Sequence, residues 1–389
     1  MVKKTTNDLI EIFGKIDSNN AAELEKQLLS AVGENYGDIT LDAEGLEYIS
    51  SAGLRVLLKL KKGTKGTVSV INVSPEIYDI FAVTGFDNIL DVKKALRSVS
   101  VDGLEIIGKG ATGSVYRIDA DTIIKVFNKN VSLTMINNES RKAKNAFVFG
   151  VPTAISYDTV RVGECYGVIY EMLNEEDLLN VIRKDKAHLV EYVKNFAVKM
   201  RQMNEIEVDD KFDDAKSATI QFLGHLEGIL CTAEEVEKLR AIIANVPDRS
   251  TFIHGDAHLG NVMLQNGEYM FIDLSSSGQG HPIFDMVSMY WGFKMGQYMS
   301  EESKEARELT RGFTFDELAL IWDTYLKNYL GTEDTEFLKK AEEQLRAVAC
   351  SRTVLAAVAV PGLMTREQLE RMRDTAVAYY DKGLEPICF

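Results

Sequence analysis

Residues 252–273 form the segment that most restricts how this chain can fold. An apolar strand, a polar loop and an apolar strand pair follow one another here, and the segment ends at Asp273. The loop offers Asp256 as a candidate general base. Asn261 and Asp273 are candidate oxygen ligands for a hard cation such as Mg²⁺. Phosphoryl transfer needs this set of groups, because it depends on positioning and on the neutralisation of charge.

A glycine-rich segment upstream points to the same chemistry. Gly108, Gly110 and Gly113 have the Gly-x-Gly-x-x-Gly spacing, which is shared by dinucleotide-binding turns and nucleotide-phosphate loops. A dinucleotide-binding turn opens a helix, whereas residues 114–118 and 122–127 alternate like two strands around a turn. We therefore predict a glycine hairpin whose backbone N–H groups approach phosphates.

The order of these motifs resembles that of the protein-kinase-like fold, in its aminoglycoside phosphotransferase and choline kinase branch. The spacing His254-x-Asp256-x4-Asn261 is that of a kinase catalytic loop, and the form His-Gly-Asp-x-His-x-x-Asn is similar to this branch. The segment from Asp273 to Asp285 is similar to the family pattern Asp-x4-Gly-x-Gly-x-Pro-x-x-Asp-Leu. The resemblance covers about residues 103–389.

The resemblance implies a two-lobed α+β fold and a role for each motif. Residues 103–173 would form the N-lobe and residues 174–389 a mostly helical C-lobe that contains the acceptor pocket. The nucleotide ATP would be held by the three glycines, by Lys125 with Glu139 as its partner, and by the interlobe hinge at Glu171 and Leu173. We place Glu139 in a helix from about Asn137 to Phe149.

For the catalytic loop, the resemblance implies that Asn261 and Asp273 carry Mg²⁺. Asp256 would accept the proton of an acceptor hydroxyl as the hydroxyl attacks the γ-phosphate. We expect Asp285 to hold the loop from behind. We expect the loop histidines to hydrogen-bond the loop and not to bind zinc.

The first hundred residues alternate strand and helix patterns, which predicts a separate α/β sandwich. The Gly-Lys-Ile-Asp-Ser entry at residues 14–18 and the Ile-Ser-Ser-Ala-Gly-Leu-Arg turn at residues 49–55 resemble the STAS domain of anti-sigma-factor antagonists and sulphate transporters. The resemblance implies that residues 1–97 form a STAS-like regulatory domain with a protein partner. Residues 93–102 then form a short polar connector.

Ser51 occupies the position of the phosphorylatable serine in the antagonist family, and Ser50 replaces the aspartate before it. Two interpretations stay open. One of the two serines only caps the following helix by accepting an N–H bond. Alternatively, Ser51 accepts a phosphate, because a helix N-terminus tolerates negative charge.

Charge and cysteine content restrict the environment and the partners. The chain has 44 basic and 59 acidic residues, a formal net charge of −15, so we expect no nucleic-acid partner. The four cysteines are scattered, which favours a reducing compartment. The N-terminus lacks the pattern of a signal peptide. The longest apolar run, 354–364, is too short to span a bilayer. We expect a cytoplasmic protein without membrane insertion.

Two groups of side chains bear on the nature of the acceptor, and each has two interpretations. Acidic clusters at residues 175–177, 209–214 and 301–302 form either a solvated face or a pocket for a cationic acceptor. The aromatic residues at 290, 291 and 293 either hold an ammonium group or pack in a helix core. Two alternatives to a small-molecule phosphotransferase also remain. One is a non-catalytic, nucleotide-gated scaffold, and the other is a self- or protein kinase of a partner-switching system.

Overall fold

The computed structural model describes the chain as two compact units, Met1–Ser100 and Val101–Phe389. The described residues are 1–4, 9–32, 37–110, 112–173, 176–294, 312–360, 362 and 364–389. Each unit has a buried apolar core of its own.

The first unit is built on a mostly parallel sheet. Its strands are β1 (Val2–Lys4), β2 (Leu9–Ile12), β3 (Gly14–Ile16), β4 (Ile39–Asp42), β5 (Leu46–Ile49), β6 (Val68–Val73) and β7 (Asp91–Lys94). The sheet has the order β1-β2-β4-β6-β7, in which only the β1–β2 pair is antiparallel, while β3 pairs separately with β5. Alternate strand residues such as Ile10, Leu41 and Val70 fill the core.

Three helices complete the first unit: α1 (Ala21–Val32), α2 (Ser51–Gly63) and α3 (Pro75–Val83). Helices α1 and α2 contact each other, and α3 contributes the fully buried Phe81 to the core. The sequence pattern predicts the last strand of this unit at residues 89–92, whereas β7 begins two residues later, at Asp91. The turn after α3 extends through Leu90, whose N–H bonds to the carbonyl oxygen of Phe86 at 2.9 Å.

The serine pair at the start of α2 has divided roles. Ser50 is the N-cap, and its side-chain oxygen accepts the N–H of Gly53 at 3.4 Å. Ser51 is the first helical residue and is exposed. Of the two capping assignments that the sequence allowed, the structure selects Ser50.

We expect Ser50→Ala to lower the free energy of unfolding of the first unit by about 1 kcal/mol, since the first turn of α2 loses an N–H acceptor. Ser51→Ala is the matched control and should change stability by less than about 0.5 kcal/mol. Urea denaturation of both variants measures the difference. Equal effects would contradict the assignment of Ser50 as the cap.

The second unit begins with an antiparallel sheet. Its strands are β8 (Ile106–Lys109), β9 (Gly113–Arg117), β10 (Thr122–Phe127), β11 (Ser156–Val162) and β12 (Cys165–Glu171), in the order β11-β12-β10-β9-β8. Helix α4 (Leu133–Val148) packs on β11 and β12. It starts four residues earlier than predicted, because Ser132 caps it by accepting the N–H of Met135 at 3.3 Å.

The rest of the second unit is mostly helical. Its helices are α5 (Leu178–Lys184), α6 (Leu189–Asn204), α7 (Ala215–Leu223), α8 (Ala233–Ala244), α9 (Ile283–Phe293), α10 (Phe315–Leu330), α11 (Thr335–Thr353), α12 (Ala356–Ala359) and α13 (Arg366–Asp381). Four short strands surround the polar loop: β13 (Phe252–Ile253), β14 (Val262–Gln265), β15 (Glu268–Phe271) and β16 (Gly278–Gln279). Helices α6, α9 and α10 pack around fully buried Tyr290, Trp322 and Tyr325.

The sequence pattern predicts one helix over residues 335–360, and this prediction is wrong. Helix α11 ends at Thr353, and the short α12 follows it. At the break the N–H of Leu355 bonds to Arg352, three residues back and not four. The tighter turns interrupt the regular helix at this point.

Candidate active site

The polar loop is held between β13 and β14, next to the turn that follows Asp273. Gly255 in this loop has φ +82°, and a Cβ at this position would lie 2.2 Å from the carbonyl oxygen of Ser276. Only glycine fits such a close approach in the left-handed region. The loop and the Asp273 turn therefore pack backbone to backbone.

Asp285, at the start of α9, supports the loop from behind. Its side chain is fully buried and accepts the backbone N–H groups of His254 at 2.8 Å and Gly255 at 2.6 Å. It also accepts Asn204 Nδ2 at 2.7 Å, and Asn204 in turn accepts the hydroxyl of Tyr329 at 2.8 Å. Burial raises the pKa of Asp285, while His254 and the N–H donors act in the opposite direction.

Both histidines of the loop have hydrogen bonds within it. His254 donates from Nε2 to the carbonyl oxygen of Ile272 at 2.9 Å and accepts the N–H of Asp256 at its Nδ1 at 3.3 Å. His258 accepts the N–H of Gly260 at 3.0 Å. Within the described ranges, no group of three or more His, Cys, Asp or Glu side chains is arranged to hold a metal ion. The hydrogen bonds of the two rings hold the backbone of the loop.

Asp256 and Asn261 face each other across the loop. Asn261 Nδ2 donates to the carbonyl oxygen of Asp256 at 3.0 Å and to its Oδ2 at 3.2 Å. This contact uses the amide nitrogen of Asn261 and leaves its Oδ1 as the atom for a cation. The side chain of Asp256 is 53 % exposed, so a substrate hydroxyl can reach it.

Asp273 adopts an uncommon backbone conformation. Its φ of 60° and ψ of 62° lie in the left-handed region, which costs a non-glycine residue about 1 kcal/mol or more. Its Oδ1 accepts the hydroxyl of Ser275 at 3.2 Å, and its side chain is half-exposed. Its carboxylate and Asn261 Oδ1 are the oxygen atoms that could hold Mg²⁺, which binds through few protein groups.

Lys125, on strand β10, contacts an acidic residue of α4 and another in the turn after β15. Its Nζ lies 2.7 Å from Glu139 Oε1 on α4 and 3.5 Å from Asp273 Oδ1. The side chains of Lys125 and Glu139 are 17 % and 12 % exposed, so this pair is shielded from solvent. The sequence predicted Glu139 as the partner of Lys125 and Asp273 from a separate motif, and the structure brings the three side chains together.

Two further residues of this cluster were missed from the sequence. Tyr170 donates to Glu139 Oε1 at 3.4 Å, and its pKa is raised because it is buried beside the charges of Glu139 and Asp273. Lys142 donates from α4 to the carbonyl oxygen of Ser275 at 3.3 Å. Strand alternation in β12 and the three-residue spacing from Glu139 on α4 were the available signals.

The three glycines of the hairpin differ in how much space a Cβ atom would have at each position. A Cβ on Gly113 would lie 2.1 Å from the carbonyl oxygen of Val126, so strand pairing alone requires this glycine. At Gly108 and Gly110 an added Cβ meets nothing closer than 3.6 Å and 3.9 Å. An added Cβ at Gly108 or Gly110 would therefore make ordinary van der Waals contacts, so packing within the hairpin does not require glycine at these two positions.

The strand that leads to the predicted hinge is β12. The N–H of Glu171 bonds to Ile155 at 2.9 Å and that of Met172 to Asp121 at 2.8 Å. The carboxylate of Glu171 accepts the N–H of Ile155 at 3.1 Å. Since these N–H groups are already used, a nucleobase edge would have to meet the N–H of Leu173.

Described acidic residues of these clusters accept backbone N–H groups in turns and at helix N-termini. Asp209 accepts the N–H of Lys211 at 3.1 Å, and Asp214 caps α7 by accepting the N–H of Ser217 at 2.6 Å. Glu175 and residues 301–302 lie outside the described residues. Tyr290 and Phe293 are buried in the helix core, as the packing interpretation requires. These groups give no support to a cationic pocket.

His281, beside the start of α9, is a buried group whose contribution to stability depends on pH. Its ring is buried, and its Nε2 donates to the carbonyl oxygen of Phe389 at 3.1 Å. Burial, together with the charge of Arg249, lowers the pKa of His281 to about 4. The ring of His281 is therefore neutral in the folded protein near pH 7.

Because the folded-state pKa of His281 is below the unfolded value of about 6.5, its contribution is present above pH 6.5 and is lost as the pH falls toward 4. We expect a loss of roughly 3 kcal/mol, and His281→Asn should flatten this part of the profile. Urea denaturation between pH 7 and 4 measures it, with exposed His225→Asn as the matched control. Parallel profiles for wild type and His281→Asn would contradict the assignment.

Family models match both parts of the chain. The model described as "STAS domain" matches residues 1–99, and the model described as "Phosphotransferase enzyme family" matches residues 103–320. The second match covers more than half of the chain. The two matches confirm the predicted fold class, a STAS-like α/β sandwich followed by a kinase-like fold with a helical C-terminal part.

Curated relatives match the first part. A putative anti-sigma factor antagonist, BtrV of Bordetella bronchiseptica, is 35 % identical over 82 residues, which are 20 % of this chain and 71 % of that protein. The anti-sigma-B factor antagonist of Bacillus subtilis is 30 % identical over 95 residues, 23 % of this chain and 86 % of that protein.

Among solved structures, a choline/ethanolamine kinase family protein from Mesorhizobium loti is similar, with a TM-score of 0.46 and 14 % identity. The match covers 72 % of this chain and 92 % of that one. In the described part of the chain, no helix combines the length and apolar character needed to cross a membrane.

Proposed function

This chain belongs to the phosphotransferase enzyme family and carries a STAS domain; from that premise we propose that it transfers the γ-phosphate of ATP to a hydroxyl group of a small molecule. The STAS domain would regulate this activity through a protein partner. We assign the activity to the cytoplasm, because the four cysteines are unpaired.

The proposed binding step uses the sheet and α4. The glycine hairpin of β8 and β9 would lie over the phosphates, because residues without side chains let the backbone approach them. Lys125 would donate to phosphate oxygens, and its 2.7 Å contact with Glu139 fixes the direction of its side chain. The hydrogen bond from Tyr170 holds Glu139 in turn. Leu173 at the hinge would meet the nucleobase.

The proposed chemical step uses the polar loop. The carboxylate of Asp256 would accept the proton of the acceptor hydroxyl while the hydroxyl oxygen attacks the γ-phosphate and ADP leaves. Oxygen atoms of Asn261 and Asp273 would hold Mg²⁺, which when bound neutralises charge on the phosphates. Asp285 keeps the loop in place through the N–H groups of His254 and Gly255.

The observation that carries this proposal is the position of Lys125 between Glu139 and Asp273, at 2.7 Å and 3.5 Å. Lys125 lies on a strand, Glu139 on the helix that follows it, and Asp273 in a turn much later in the chain. A solvated lysine would not be shielded by two carboxylates at once. The arrangement suits a site that holds phosphates and a cation.

A coupled assay of ADP release tests the proposal. The purified full chain is supplied with Mg·ATP and a panel of aminoglycosides, amino alcohols, sugars and hydroxy acids. We expect at least one class of hydroxyl acceptor to raise ADP release above the rate in water. If ATP binds with Mg²⁺ but nothing in the panel raises the rate, the nucleotide-gated scaffold is the better description.

For the STAS domain, we predict no rapid autophosphorylation of Ser51. The connector of about ten residues limits how far Ser51 can travel toward Asp256. Mass spectrometry of the full chain after incubation with Mg·ATP is the direct measurement, with Ser51→Ala as the control. Stoichiometric phosphate on Ser51, absent in Asp256→Asn, would instead identify a self-phosphorylating regulator.

A further inference from the structure

We propose that Arg352 binds an anionic group of the acceptor, so that the substrate class is a hydroxy acid or a phosphorylated alcohol and not a cationic amino alcohol. The inference rests on the proposed function, because it concerns the acceptor side of the same site. It follows from the position and the contacts of one arginine at the end of α11.

The guanidinium of Arg352 is anchored at one side only. Its Nη1 donates to the carbonyl oxygen of Phe284 at 2.6 Å, and its Cζ lies 5.3 Å from the centre of the Phe284 ring. These contacts fix the plane of the guanidinium next to the start of α9. Phe284 directly precedes Asp285, which supports the catalytic loop, so Arg352 lies at the base of the loop.

The other donors of Arg352 remain available. Within the described ranges, the side chain of Arg352 forms no ion pair within 4 Å, and its bond to Phe284 is the one hydrogen bond of that side chain. The side chain is partly exposed, and none of its nitrogen atoms is among the buried, unpaired polar atoms of the described chain. A guanidinium has five N–H donors. Those not used by Phe284 therefore reach solvent.

The electrostatic setting connects this guanidinium to the catalytic loop. Burial lowers the pKa of Arg352, and the charges of Asp285 and Asp256 oppose that effect. The proposed base is thus within electrostatic range of the guanidinium. Asp285 already accepts three N–H groups, and Arg352 bonds to a carbonyl oxygen and to no carboxylate. A role for Arg352 as the counter-ion of Asp285 therefore does not account for its unused N–H groups.

Arginine is suited to bind carboxylate or phosphate, because two parallel N–H groups match two oxygen atoms. An acceptor held in this way would present a nearby hydroxyl to Asp256. The hydroxyl oxygen forms a bond to the γ-phosphorus, the bond from that phosphorus to the bridging oxygen of ADP breaks, and Asp256 takes the proton. The anionic group stays unchanged and serves only for binding.

Four three-carbon acceptors that differ in charge test the inference: glycerate, glycerol 3-phosphate, glycerol and 2-amino-1,3-propanediol. ADP release with Mg·ATP gives kcat/KM for each in wild type, Arg352→Gln and Arg352→Lys. The matched control is Arg346→Gln, which removes an arginine from the same helix whose side chain is 37 % exposed. Urea denaturation shows whether each variant is folded.

We expect wild type to prefer an anionic acceptor over glycerol by about tenfold or more, as a charged hydrogen bond would give. Arg352→Gln should remove that preference, Arg352→Lys should keep part of it, and Arg346→Gln should leave it unchanged. A preference for the cationic acceptor, or an equal loss on glycerol and glycerate in Arg352→Gln, overturns the inference.

Direct binding separates this inference from the proposed function. Calorimetry measures glycerol 3-phosphate binding to the protein loaded with Mg·ADP, which needs no turnover. Binding that weakens about tenfold in Arg352→Gln supports the inference even if no acceptor is phosphorylated. No binding to wild type, or equal binding to wild type and variant, overturns it.

Discussion

Asp256→Asn is expected to abolish phosphoryl transfer and to leave nucleotide binding intact. Asparagine has the size of aspartate and can still accept the Asn261 amide, which lies 3.2 Å from Asp256 Oδ2. It cannot accept the proton of a hydroxyl, and loss of a general base costs about 10²- to 10⁴-fold in rate. The coupled ADP assay measures turnover, and calorimetry with Mg·ATP measures binding.

Asp273→Ala is the comparison that separates chemistry from binding. This change removes a proposed cation ligand and a carboxylate 3.5 Å from Lys125. We expect it to weaken Mg·ATP binding as well as turnover, since phosphate charge is then less neutralised. Undiminished turnover in Asp256→Asn would reject Asp256 as the base. Unchanged Mg·ATP affinity in Asp273→Ala would reject the metal assignment.

The central cluster could be predicted from the sequence because each member belongs to a motif with its own spacing. The glycine hairpin preceded Lys125, and the polar loop preceded Asp273, so their order indicated one site. The role of each glycine within the hairpin was harder to predict. Gly113 matches the glycine spacing, yet it is required by the close approach of Val126 on the next strand.

The contacts of Arg352 and Asn204, which pack against elements distant in the chain, could not be predicted from the sequence. Arg352 contacts the backbone of Phe284, 68 positions earlier, and Asn204 contacts Asp285 across 81 positions. No local pattern signals such contacts. Arg352 also lies where the sequence predicted one continuous helix, and only tertiary packing reveals that α11 ends one residue later.

Asp285→Ala is expected to lower the free energy of unfolding of the second unit by roughly 3–5 kcal/mol, because it leaves buried polar groups without their partner. The N–H groups of His254 and Gly255 and the amide of Asn204 all donate to this carboxylate. Burial disfavours the charged form of Asp285. The cost of the variant therefore comes from the three unpaired donors.

Two further variants make this expectation specific. Asp285→Asn keeps the size and one acceptor oxygen, so it should fall between wild type and Asp285→Ala. Asp323→Ala removes an exposed carboxylate from α10 and should change stability by less than about 0.5 kcal/mol. Urea denaturation ranks the three variants, and kcat of folded Asp285→Asn reports on the position of the loop. If Asp285→Ala were as stable as Asp323→Ala, the loop would be held by something other than Asp285.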